Sequence, residues 1–141
     1  MQLKLVKKWY MNRIIKGISM CKILMSIKPK YSEKIFSGKK KYEFRRKVSK
    51  LHVDKIIVYS SSPDKKVIGE VEVMDVVSKS INELWKLTKK FAGISYDDFE
   101  DYFDGCDVAY AYVLGKVTRY KKPKSLLDFD VRFSPQSYVY V

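Results

Sequence analysis

A small mixed β-barrel of the α+β class, crossed by short helices, is the fold that these 141 residues predict. Three observations carry the prediction. Five or six short β-prone segments recur along the chain, helical signals stand at two of the crossings between them, and neither an internal repeat nor a low-complexity linker breaks the series. Hydrophobic residues make up 46% of the chain and aromatic residues 14%, enough for one domain to bury a core without disulfide staples.

Residues 1–20, MQLKLVKKWYMNRIIKGISM, read as a basic extension with Lys and Arg but no acid. Charges break it too often for a signal peptide or a membrane span. Leu5, Trp9, Ile14 and Ile15 outline one side of an amphipathic helix suited to nucleic acid or an anionic surface. The pattern changes at Cys21, so Met20 is a second candidate start and residues 21–141 form the domain.

KILMSIK is apolar and β-prone. Pro29 then opens a short helix with Tyr31 and Ile35 one turn apart, and Gly38 stops it. KKYEFRR alternates as a strand, with Tyr42 and Phe44 on one face and Lys41, Glu43 and Arg45 on the other. KIIVYSSS is a strand ending in a Ser-rich turn at Pro63 and Asp64, and KVIGEVEVMDVV is the next, with Gly69 inside it. Ser80 and Glu83 form a capping-box pattern for a helix from about Ile81 to Phe91. Ser95 caps a second helix, YDDFEDYFDG, whose inward face is Tyr96, Phe99 and Phe103 and whose acids, Asp97 to Asp104, form a solvated face unsuited to RNA. VAYAYVLGKVTRY and QSYVYV supply the last strands.

The net charge of +13 is concentrated in the first third, where residues 1–50 hold 16 Lys or Arg against Glu33 and Glu43 alone. Clustered cations favour a polyanionic partner, because their binding releases counterions. A lysine-heavy composition, with only five Arg among 29 basic residues, is the bland alternative. Cys21 and Cys106 lie far apart with no CxxC spacing, which gives neither a disulfide framework nor a zinc site and fits a reducing cytoplasm. His52 is the only histidine and stands in the plain junction KLHVDK, where a structural or solvated role is the simpler reading. Glu70, Glu72 and Asp75 are close in sequence but have no His or Cys nearby, so neither a metal nor a cofactor is expected.

Glu43 is the one acid in SGKKKYEFRR, residues 37–46. A purely electrostatic patch gains nothing from it. A carboxylate placed there fixes an Arg guanidinium in one orientation, or accepts from a base amino group while the cations hold phosphate. The plain alternative is an exposed strand with Glu and Arg two residues apart. The run ILMSIKPKYSEKIFSGKKKYEFRR, with VDKIIVYSSSPDKKVIGEVEV and SPQSYVYV after it, resembles the ASCH domains, a branch of the PUA-like superfamily, over about residues 22–141. Gly38, Lys40, Glu43 and Arg45 match the motif G-x-K-x-x-E-x-R.

The resemblance implies a β-barrel with a cleft lined by this motif, for RNA or a modified nucleotide. On that reading the protein is an RNA-binding module with a regulatory role that takes a modified base or a single-stranded end. Its binding residues are Lys28, Lys40, Glu43, Arg45, Arg46, Ser61 and Gln136. The alternative is a hydrolase of RNA or of acylated cytidine working through Lys40, Glu43 and Glu72. The amidohydrolases that the chain resembles use a Lys, a Thr and a Glu, and here the Thr position holds Glu43, which cannot stand in for a hydroxyl nucleophile.

If residues 1–19 are an appendage, a chain starting at Met20 keeps its melting temperature and loses only affinity for single-stranded oligonucleotides. A large fall in the calorimetric Tm would show instead that the segment packs on the core.

Overall fold

A computed structural model describes residues 20–141. The basic extension, apart from Met20, lies outside the described residues. Strand β1 (Lys22–Ile27) pairs in parallel with strand β3 (Lys55–Ser60), from Lys22 opposite Lys55 to Ile27 opposite Ser60. A parallel pair needs a crossover, here made by helix α1 (Pro29–Phe36) and the short strand β2 (Tyr42–Arg45). The two parallel strands read as nearly unbroken apolar runs because both of their faces are covered. Ile23, Met25, Ile27, Ile56 and Val58 join the main core, while Leu24, Ile57 and Tyr59 join a second cluster.

Strand β4 (Lys66–Lys79) and strand β5 (Ala109–Lys124) form the long antiparallel pair, with helices α2 (Ile81–Thr88) and α3 (Tyr96–Phe103) between them in sequence. Strand β6 (Tyr138–Tyr140) runs antiparallel to β1. The sheet order is β2-β5-β4-β3-β1-β6, and the sheet curls into a half-barrel. The β4–β5 register slips at three places, between Val67 and Gly69, Val71 and Val73, and Val73 and Asp75. Each such irregularity bends and twists a ladder, which is how a 14-residue strand follows a curved path.

Among the described residues three apolar clusters hold the sheet in this shape. In the main one, Ile35 of α1 joins Ile68, Val71, Tyr112 and Leu114. A second packs α2 and α3, through Leu84, Phe99 and Phe103, against Phe44 of β2 and Ala109 and Ala111 of β5. The third covers Leu24, Ile57, Tyr59 and Val67 with Tyr120, Leu126, Phe129 and Val131 from the end of β5 and the turn after it.

Helix punctuation follows the sequence. Ser80 Oγ accepts from the Glu83 amide at 3.3 Å, and Ser95 Oγ from the Asp98 amide at 3.1 Å. The first of these helices is shorter than its pattern suggests, since α2 stops at Thr88 and Lys89–Phe91 tighten into a 3-10 turn. Of the expected inward face of α3, Phe99 and Phe103 are fully buried, while Tyr96 is 43% exposed and rests edge-on against Trp85. No helix among the described residues is long and apolar enough to cross a membrane.

Gly69 marks a close approach on the β4 path. A Cβ there would lie 2.4 Å from Thr118 O and 2.6 Å from the Phe36 ring. Because one obstacle is backbone, the site cannot relax by a rotamer change alone. Gly69→Ala is therefore expected to cost about 3 kcal/mol in urea unfolding, and a loss under about 1 kcal/mol would show that β4 and β5 move apart freely at this point.

Candidate functional site

The chain reaches the site by wrapping the end of α1. The amides of Lys39 and Lys40 both donate to Lys34 O, at 2.9 and 3.0 Å, which turns Lys40 inward just before β2 begins. Lys40 is 3% exposed, and its Nζ donates to Ala92 O at 2.8 Å. The ammonium also lies 4.6 Å from the Phe44 ring centroid and 5.3 Å from that of Tyr31. Gly93 makes room for it: at φ +65, a Cβ on residue 93 would come within 2.5 Å of Lys40 Cβ. The next carbonyl, Gly93 O, accepts from Lys34 Nζ at 3.2 Å, so two successive carbonyls after the 3-10 turn take two lysines. Burial pulls the Lys40 pKa from 10.5 down to about 8, opposed by Glu43 and reinforced by Lys34 and Arg45.

Glu43 and Arg45 share a strand face, as alternation requires. Glu43 is only 7% exposed, and its Oε2 accepts from Arg45 Nη2 at 2.8 Å and from Nε at 3.1 Å. Among the described residues no hydrogen-bond donor reaches its other oxygen, Oε1. The Arg45 guanidinium continues across the barrel opening, where Nη2 donates to Ser26 O at 3.0 Å and Nη1 makes a long contact, 3.5 Å, to Ser137 Oγ. The carboxylate thus sets the plane of the guanidinium while one of its own oxygens stays uncommitted.

These side chains open onto a cavity of about 740 Å³. Of the residues singled out from the sequence, Lys28, Lys40, Glu43, Arg45, Ser61 and Gln136 all line it. Arg46 does not, but braces the wall: it lies 4.3 Å over the ring of Tyr102, a lining residue, and donates from Nε to Tyr102 O at 2.7 Å. Glu72 is also absent from the lining. It stands opposite Lys55 in the β3–β4 ladder, and strand alternation turns it away from the side taken by Val71 and Val73.

Several lining residues carried no functional signal in the sequence. Lys30 and Lys65 add cations, and Tyr31 lies 4.8 Å beneath Lys30 Nζ. Ser26 had a trace of one, as a polar residue inside an apolar strand; its Oγ donates to Pro135 O at 2.6 Å and pins the rim. The acidic helix is the clearest departure. Expected as a solvated face away from any ligand, α3 puts Asp98 and Asp101 on the cavity wall. The reason is packing, since burying Phe99 and Phe103 against Phe44 turns the flank that carries these two acids toward the opening.

A curled six-stranded half-barrel with a charged, motif-lined cleft defines a PUA-like domain. The chain belongs to the ASCH domain family, whose model matches residues 25–125. It is similar to an ASCH domain-containing ribonuclease of Zymomonas mobilis, 34% identical over 92 residues, which cover 64% of this chain and 62% of that one. It is also 31% identical over 120 residues to ATP synthase subunit alpha of Ureaplasma parvum, a match that covers 84% of this chain. The chain spans only 15% of the length of that relative. The crystal structure of ASCH from Zymomonas mobilis superposes with a TM-score of 0.78 at 29% identity, covering 85% of this chain and 87% of the other.

The buried amine gives a pH test. With a folded pKa near 8 and an unfolded value near 10.5, the unfolded chain holds a proton that the folded chain has released between those limits, so stability gained from this group rises with pH there. Measured against Lys40→Met, the wild type should gain about 2 kcal/mol of unfolding free energy between about pH 7 and pH 10. A pH-independent difference would show that Lys40 titrates as an ordinary surface amine.

Proposed function

We propose that this domain binds RNA with a regulatory outcome, seating one nucleotide from a single-stranded end, or a modified base, in the cavity. The observation that carries the reading is the Glu43 carboxylate, held on one oxygen by Arg45 and open on the other toward the cavity. Such an acceptor suits an amino group on a base edge. A volume of about 740 Å³ falls within the range of small-ligand sites, roughly 300–1,000 Å³. On the β1 and β3 side, Lys28, Lys30 and Lys65 with the hydroxyls of Ser61 and Ser62 suit phosphate. Asp98 and Asp101 line the α3 side, where a second phosphate would be repelled, so the two sides favour one orientation of the nucleotide. The name of the Zymomonas relative agrees with RNA as the ligand class. The cytoplasm is the compartment this reading assigns.

One observation favours a second reading, hydrolysis of RNA. An amine with a pKa near 8, lining the same cavity as a carboxylate, is tuned for proton transfer close to neutral pH. Hydrolysis of acylated cytidine has less support, because Glu43 occupies the nucleophile position and Glu72 lies outside the cavity.

A ligand panel against wild type and Glu43→Gln tests the binding reading. The preferred ligand should weaken by about 1–3 kcal/mol, while non-specific polyanions bind as before or more tightly. Uniform tightening across the panel would reduce Glu43 to a clamp for Arg45 and end the proposal. RNA cleaved by the wild type and left intact by Lys40→Ala would establish hydrolysis.

A further inference from the structure

Phe133 is 83% exposed, the most exposed large hydrophobic side chain among the described residues. Leu127 and Leu51 are also exposed, at 70% and 59%, but they are aliphatic and neither adjoins a lining residue in sequence. Phe133 immediately precedes Ser134, Pro135 and Gln136, all of which line the cavity, so its Cα stands about 3.8 Å from that of a lining residue. The strap that carries it is fixed from the site itself. Tyr59 Oη and Ser134 Oγ are 3.1 Å apart, Ser26 Oγ donates to Pro135 O at 2.6 Å, and the Ser26 amide donates to Ser137 O at 3.0 Å. Among the described residues no aromatic ring or cation packs on Phe133. Exposed Arg132 precedes it.

We propose that Phe133 is a stacking platform for the base next to the one seated in the cavity. The inference rests on the RNA-binding reading and adds a second subsite to it. An aromatic face at a fixed position beside a cationic mouth holds a flanking base by stacking, without choosing its identity, and Arg132 is placed for the phosphate that leads away from the mouth. The strap that carries Phe133 is anchored at Ser134, Pro135 and Ser137, so its backbone needs little further ordering on binding.

The test is a cycle between protein and ligand. Affinities are measured for a single-stranded RNA trimer and for the same trimer with abasic flanking positions, on wild type, Phe133→Ala and Phe133→Trp. Removing the flanking bases should weaken wild type about tenfold or more. Phe133→Ala should bind the full trimer about tenfold less tightly than wild type, keep the wild-type melting temperature and show no difference between the two ligands. Phe133→Trp should restore the difference. An equal loss on base removal in wild type and Phe133→Ala would overturn the platform while leaving the cavity reading in place. A wild type that binds neither trimer would overturn both.

Discussion

Arg45 is where β2, one edge of the sheet, meets the side formed by β1 and β6. In hydrogen-bonding order β2 and β1 lie far apart, with β5, β4 and β3 between them, yet the guanidinium of Arg45 on β2 donates to the Ser26 carbonyl of β1. Curling brings the strands close, and a cation spans the remaining gap. A guanidinium drawn this far from water needs an anion at bonding distance, and Glu43, two residues back on the same strand face, provides it. The acid among cations therefore has a structural reason that precedes any ligand. Its second consequence falls on Lys40: with Glu43 committed to Arg45, the buried amine keeps only part of the field that would hold its proton, and desolvation prevails.

The rigidity of this arrangement comes from aromatic packing behind it. Phe44 sits between Glu43 and Arg45 in sequence, packs edge-on against Phe99 and Phe103 at 5.0 and 6.2 Å, and carries Lys40 on its ring face. One side chain thus links the helical cluster to the charged floor of the cavity. A strand of four residues is short for such a role, and it holds position because its last residue and those flanking it are each tied elsewhere: Lys40 to Ala92, Arg45 to β1 and Arg46 to α3. The charges that line the opening, cations from α1 and the β3–β4 turn and acids from α3, are therefore set by backbone that has little freedom to shift.

Much of this was legible in the sequence where local chemistry decides. Pro29, Ser80 and Ser95 mark helix starts by satisfying or sparing end amides, and the apolar, β-prone runs of β1 and β3 announce strands. Glu43 and Arg45 stood out because strand parity put them on one face and the charge sign was anomalous. What stayed hidden depends on long-range geometry. Whether the acids of α3 face solvent or the cleft is decided by the angle at which Phe99 and Phe103 dock, which no periodicity encodes. Glu72 looked near in motif order, but the register of β4 relative to β2 passes through β5 and its three irregularities, so no sequence spacing relates it to Lys40. Arg46 follows the last residue of β2, where alternation no longer applies, and it turned to Tyr102 instead of the cavity.

The pinning of the rim has a kinetic side. Ser26 and Pro135 are 109 residues apart, and Arg45 and Ser137 are 92 apart, among the longest-range contacts of the domain. Contacts of that sequence separation carry a loop-closure cost that local contacts avoid, one that grows only slowly with loop length. The pairing of β1 with β3, and of β4 with β5, needs no contribution from the rim. Without Ser134, Pro135 and Gln136 in place the cavity loses one of its walls. One wall of the cavity therefore depends on the strap after β5 staying pinned to β1.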